Sequence, residues 1–144
     1  MQIKNQMKLE FLCHPENEGF ARVAVSAFAV QLDPTLDMLA DIKTAVSEAV
    51  TNAIVHGYRE KEGKIYITVS LLENNIIRIK IRDRGVGIED IEKAMEPLFT
   101  TSGDERAGLG FAVMESFTDK LKVSSKVGFG TTVTMEKKIR GKKL

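Results

Sequence analysis

Between Lys64 and Asp83 the chain reads KIYITVSLLENNIIRIKIRD, two runs in which alternate residues are aliphatic. Ile65, Ile67, Val69 and Leu71 share one side of the first run, and Ile77, Ile79 and Ile81 share one side of the second. A period of two marks a β-strand, because successive side chains point to opposite faces of a sheet. Asn74-Asn75 between the runs suits a tight turn, so the segment is a hairpin with one oily face. That face has to be covered.

The flanking segments supply the cover. MKLEFLCH alternates Leu9, Phe11 and Cys13 and predicts a first strand, ended by Pro15. From Asn17 to Leu32 a helix is expected, with Phe20, Val23, Ala24, Ala27 and Val30 as its core stripe. Val25 and Ala29, small apolar residues on the other side near Arg22, are expected to face a partner chain. LDPTL then restarts the chain, with Asp33 as N-cap and Pro34 at the first helical position. The helix it opens is expected to reach about His56, with Gly57 as C-cap and Leu39, Ile42, Val46, Ala49 and Ala53 in the core.

Beyond the hairpin, Ile88 to Met95 reads as a short helix and Glu96 to Gly108 as a polar loop. LGFAVMESF is a further helix, and KLKVSSKV with TTVTMEK form a second hairpin around Gly128-Phe129-Gly130. The order β-α-α-β-β-α-α-β-β has no repeat and no linker, and 144 residues suit one domain, 1–144. An α+β sandwich is expected, with helices on one face of a mixed sheet.

Charge and cysteine usage narrow the function. Lys and Arg total 21 against 20 acids, so no bulk field points to nucleic acid. The basic run from Lys137 to Lys143 is expected to be a solvated tail. A single cysteine, Cys13, excludes an intramolecular disulfide and a Cys-based metal site. MQIKNQMKLEF lacks the apolar run of a signal peptide and no stretch reaches membrane-spanning length, so a cytoplasmic protein without a membrane partner is expected.

Four polar features interrupt this apolar pattern. Glu48, Asn52 and His56 step by four along the long helix, beside its core face. A solvated surface stripe would explain them; so would a pocket in which a carboxylate and an amide meet something polar. Asp83 falls on the inward side of its strand and is followed by Gly85 and Gly87. That pattern is either a turn or a pocket floor whose glycines let a flat ligand approach the backbone. Gly108 and Gly110 open a helix with Arg106 just before them, an arrangement suited to phosphate. Thr131 shares a face with Val133 and Met135, as a plain strand residue or as an inward hydroxyl beside Asp83.

Taken in order, SEAVTNAIVHGY, RDRGVGIEDIEKAMEPLFTT, ERAGLGFAVMESFTD and the Gly-Thr strand start resemble the GHKL (Bergerat) ATP-binding fold. The likeness runs from about Met7 to Lys137 and is similar, within that family, to the sporulation branch of the bacterial anti-sigma serine kinases. The resemblance implies ATP or ADP with Mg2+ as ligands. It makes Glu48 the catalytic carboxylate, with Arg106 beside it, and Asn52 both a phosphate-end contact and the Mg2+ ligand. It makes Asp83 the acceptor of the adenine amine, with Gly85, Gly87 and Thr131 completing the base contacts. Gly108, Leu109 and Gly110 would meet phosphates through backbone N–H groups, and Thr100, Thr101 and Ser102 would lie in a lid. His56 would have no catalytic role.

Implied partners are a second copy of the chain, a sporulation sigma factor and an anti-anti-sigma protein phosphorylated on serine. A nucleotide-gated binding module without phosphotransfer, a stress-response-type kinase and a free-standing ATPase are the alternatives. Retention of Glu48 speaks against the first of these.

Overall fold

The computed structural model describes residues 2–59, 61–96 and 106–140, with the backbone alone for 106–109. Five strands, β1 (Ile3–Leu12), β2 (Lys64–Leu72), β3 (Ile76–Asp83), β4 (Lys120–Lys126) and β5 (Gly130–Lys138), form one sheet in the order β1-β2-β3-β5-β4. The described α-helices are α1 (Glu16–Ala29), α2 (Leu36–Asn52), the single turn α3 (Ile91–Ala94) and α4 (Arg106–Phe117). The expected α+β sandwich is present. The sheet, expected to be mixed, is antiparallel at every described pairing. Two successive helices return the chain for an antiparallel β2 beside β1. Strand β5 then inserts between β3 and β4, which run the same way.

Alternation decides the buried face. Ile65, Ile67, Val69, Ile77, Ile79 and Ile81 are all at most 2% exposed and meet Ile42, Val46 and Val50 of α2 in one core. Asn74 and Asn75 hold positive φ angles of 65° and 57°, so the turn forms where the sequence placed it. Cys13 is buried and its thiol donates to the Lys61 carbonyl at 3.2 Å.

Helix α1 is turned relative to its expected orientation. Ala21, Val25 and Ala29, spaced by four, are fully buried, whereas Phe20, Val23 and Val30 are more than half exposed. Val25 and Ala29 therefore belong to the core and cannot form a partner face. The physical reason is distance: a row of small side chains lets α1 lie close along its neighbours, and the larger residues are left outside. The chain then closes a 3-10 turn at Val30–Leu32, and Asp33 adopts the left-handed conformation (φ 53°). An N-cap needs extended backbone, so Thr35 (ψ 165°) caps α2 in place of Asp33, accepting the Met38 N–H at 3.2 Å.

The remaining corrections concern ends. Helix α3 is a single turn capped by the Asp90 carboxylate rather than a run from Ile88 to Met95. Lys137 and Ile139 are not tail: Lys137 pairs with Asp41 at 3.4 Å, and Ile139 is 1% exposed. The even overall charge also hides a segregated one. Lys8, Lys64, Arg78, Lys80, Arg82, Lys120, Lys122, Lys126 and Lys138 lie on the uncovered sheet face against Glu10 and Glu136 alone among its described residues. Among the described residues no helix is long and apolar enough to cross a membrane.

Close packing of α1 is directly testable. Ala29→Leu adds bulk at a fully buried position and is expected to cost about 1–3 kcal/mol in urea unfolding. Val23→Ser on the exposed side should stay within about 0.5 kcal/mol of wild type.

Candidate functional site

The site begins where α2 changes pitch. After Asn52 the backbone widens into a π turn, Ala53–Gly57, with Tyr58 N–H bonded to the Ala53 carbonyl at 2.9 Å. Such wide turns recur at functional sites because they redirect one helix end without breaking it. Gly57 is therefore not a C-cap; the first left-handed residue is Arg59, at φ 50°. Gly57 instead lies against Asp83, where an added Cβ would come within 2.9 Å of the carboxylate.

Asp83 ends β3 and pairs laterally with Thr131 of β5. Both are buried, at 6% and 9% exposure. Backbone donors hold the carboxylate: Gly85 N–H meets Oδ1 at 2.9 Å and Thr131 N–H faces it as well. Burial nonetheless raises the Asp83 pKa above the ordinary carboxylate value, the two N–H groups opposing that rise. The hydroxyl of Thr131 reaches Ser125 Oγ at 2.8 Å.

The glycines do something the sequence did not disclose. A Cβ on Gly85 would strike the Gly57 carbonyl at 2.1 Å, one on Gly87 the Lys126 carbonyl at 2.3 Å, and one on Gly130 the Asp83 carbonyl at 2.1 Å. At Gly85 and Gly87 the side-chain direction is therefore occupied by the protein's own backbone. Val86 N–H to Gly57 O at 2.9 Å and Gly128 N–H to Val86 O at 2.8 Å close the ring. Tyr58 braces it from behind, its hydroxyl donating to Lys64 O and accepting Arg84 N–H at 2.8 Å. Burial pushes that phenol above its ordinary pKa, so it remains a donor.

On the helical side, Asn52 abuts α4. A Cβ on Gly110 would come within 2.9 Å of Asn52 Oδ1, so only glycine there leaves the amide its position. Asn52 Nδ2 is buried without a hydrogen-bond partner among the described residues. An orphaned buried amide is costly and fits a ligand better than a packing role. Gly110 is the fifth residue of α4, beyond the first four N–H groups that a helix leaves free, so it serves through its missing side chain. Glu48 lies one turn before Asn52 on α2, half-buried.

Asn52, Asp83, Gly85, Gly87, Gly110 and Thr131 thus surround one end of the α2–β3 junction. Thr100, Thr101 and Ser102 lie outside the described residues. Arg106, Gly108 and Leu109 are placed by backbone only, in the first turns of α4. The sequence reading missed Gly57, Tyr58 and Ser125 as parts of the site. Only Gly57-Tyr58, a small residue and a large polar aromatic at a helix end, carried any signal.

A helix bearing an acid and an amide, set over the glycine-packed end of an antiparallel sheet, defines a nucleotide-binding domain of the histidine kinase-like type. The family described as "Histidine kinase-like ATPase domain" matches residues 13–137. The anti-sigma F factor of Clostridium acetobutylicum is 55% identical over 137 residues, covering 94% of this chain and 95% of its own. That of Priestia megaterium is 50% identical over 143 residues, covering 98% and 97%. In solved structures, the RsbU and RsbW domains of a Mycobacterium tuberculosis protein superpose over 98% of this chain and 35% of theirs, with TM-score 0.71 and 19% identity. The catalytic domain of histidine kinase ThkA superposes over 94% of this chain and 99% of its own, with TM-score 0.59 and 20% identity. At such identities the superpositions show the fold alone. The chain belongs to the histidine kinase-like ATPase family and, within it, to the anti-sigma F factors.

The Asp83 carboxyl gives a stability prediction independent of ligand. Its raised pKa means that folding is unpenalised below the ordinary value of 3.8 and loses stability as pH rises through the folded-state value. Asp83→Asn without ligand should therefore melt at or above the wild-type temperature at pH 7.5. Paired thermal melts should show that advantage vanish below pH 3.8; a variant less stable at pH 7.5 would contradict the burial argument.

Proposed function

We propose that this chain binds a sporulation sigma factor and, as an ATP-dependent protein serine kinase, phosphorylates an anti-anti-sigma protein. The observation that carries the reading is the orphaned Asn52 amide, one helical turn from Glu48 and held open by Gly110. The names of the relatives at 50–57% identity support the sigma-binding half.

In this reading the base edge of ATP sits on the floor made by Asp83 and Thr131, its amine donating to the Asp83 carboxylate. The glycine ring fixes that floor by backbone contact. The triphosphate then points toward α2 and the start of α4. There the N–H groups around Gly108 and the Arg106 guanidinium suit phosphate oxygens, with the undescribed Thr100, Thr101 and Ser102 as candidate lid contacts. Leu109 is assigned only a backbone role.

Glu48 positions or deprotonates the acceptor serine, whose hydroxyl is a poor nucleophile while protonated. Asn52 would hold Mg2+ through its amide oxygen, an ion that neutralises charge on the transferring phosphoryl group. Among the described residues no three His, Cys, Asp or Glu side chains cluster as a metal site, and Asn52 would share such an ion with phosphate oxygens.

Phosphorylation adds about −1.5 to −2 charges to the partner, enough to break an interface built around a neutral serine. The exposed residues Phe20 and Val23 on α1, continued by Val30 in the turn after it, support a protein partner on that side, as a homodimer or with sigma. The cytoplasm, where sigma factors act, is the corresponding location.

Transfer of the ATP γ-phosphate to a purified anti-anti-sigma protein tests the reading. Glu48→Gln should lower transfer at least about 100-fold while ATP still binds; a wild type that binds ATP and labels no serine returns the chain to a nucleotide-gated binding module. Gly110→Ala, which crowds Asn52, should weaken Mg·ATP binding by about tenfold or more in calorimetry, with little change in melting temperature.

A further inference from the structure

Ser125 faces inward near the end of β4, directly across from Thr131. Its hydroxyl has three neighbours. Ile88 N–H donates to it at 2.7 Å, the Gly130 carbonyl accepts from it at 3.0 Å, and the Thr131 hydroxyl lies 2.8 Å away. A serine hydroxyl offers one proton and two lone pairs. An N–H can only donate and a carbonyl can only accept, so Ile88 fills one lone pair and Gly130 takes the proton. All three bonds close only if Thr131 donates to Ser125.

Thr131 then has no proton left for the site. What it turns toward a ligand is an oxygen that accepts. Its lateral neighbour Asp83 is an acceptor too, with Oδ1 already engaged by Gly85 N–H.

We propose that Ser125 is a specificity-determining positioning residue. It locks Thr131 as an acceptor, so that the Asp83–Thr131 floor selects a purine bearing an exocyclic amine over the same purine bearing a carbonyl. This rests on reading that floor as the base site of a nucleotide. An amine carries two N–H groups and can satisfy both acceptors, whereas a 6-carbonyl sets a third oxygen against them and brings only the ring N1–H beside it, so at least one acceptor stays unpaired. Ser125 touches no ligand in this scheme. It acts through the proton it withholds, and the bond to Ile88 keeps it from turning away.

The experiment is calorimetric binding of ATP, inosine triphosphate and the 6-unsubstituted purine riboside triphosphate to the full chain, as wild type, Ser125→Ala and Ser125→Thr. Wild type should rank them in the order amine, hydrogen, carbonyl, with ATP favoured over inosine triphosphate by about 100-fold. Ser125→Ala frees the Thr131 proton to meet a carbonyl, and the ratio should fall about tenfold, mainly through tighter inosine triphosphate. Ser125→Thr keeps the hydroxyl and should restore the ratio.

A Ser125→Ala protein that loses affinity for both nucleotides equally, with the ratio unchanged, overturns the proposal, because Ser125 would then only brace the fold. If that variant does not fold, Ser125→Cys, close in volume but a weak hydrogen-bonding partner, makes the same comparison. A wild type that binds ATP yet does not prefer it to inosine triphosphate also overturns it. A wild type that binds no purine triphosphate removes the base-site reading itself, a separable failure.

Discussion

The contact on which this structure turns is between two pieces of backbone. Gly57, at the end of the π turn, and Gly85, just past β3, lie so close that a Cβ on Gly85 would strike the Gly57 carbonyl, and a Cβ on Gly57 would press on the Asp83 carboxylate. That approach fixes where α2 ends relative to the sheet, and with it the position of Asn52 five residues earlier. Van der Waals contact between peptide groups has little slack, since interiors are packed as densely as molecular crystals. The Val86 N–H to Gly57 O bond then ties the loop following β3 to the helix end. A site assembled from helix and sheet thus inherits the stiffness of both.

The polar groups at this junction work against stability. Asp83 is buried at the expense of its ionised form, and Asn52 Nδ2 has no described partner. A packing solution that only maximised stability would place aliphatic side chains at both positions. The surrounding core compensates: the inward residues of β2 and β3 and the small-residue seam of α1 are closed to solvent. This division, a tight apolar body with a buried carboxyl and an orphaned amide at one end, is the physical basis for placing function there.

Legibility from sequence differed by element. The β2–β3 hairpin was plain because a period of two leaves one way to bury Ile65, Ile67, Ile77 and Ile79 together. Asp83 was plain for the same reason, since it continues the inward parity of β3. Helix α1 was misread because apolar residues occur around much of its circumference. Spacing could not say whether Phe20 and Val23 or Ala21 and Val25 face the core, and closeness of packing favoured the small ones. The π turn had no signature in AIVHG. Gly85 and Gly87 were recognised as special, but the atoms pressing on them come from Gly57 and Lys126, distant in sequence.

The sequence by itself determined the elements, the inward parity of each strand, and the identity of the polar residues that break the apolar pattern. These are local properties, written in spacings of two and of three to four. Tertiary structure alone decided which side of α1 is buried, that the sheet is antiparallel at every described pairing, and that nine cations among the described residues gather on its uncovered face. It also decided which way the protons run among Ile88, Ser125, Gly130 and Thr131. Each depends on atoms brought within a few ångströms from remote parts of the chain, and hydrogen-bond direction is set by the complete circle of neighbours rather than by any one residue.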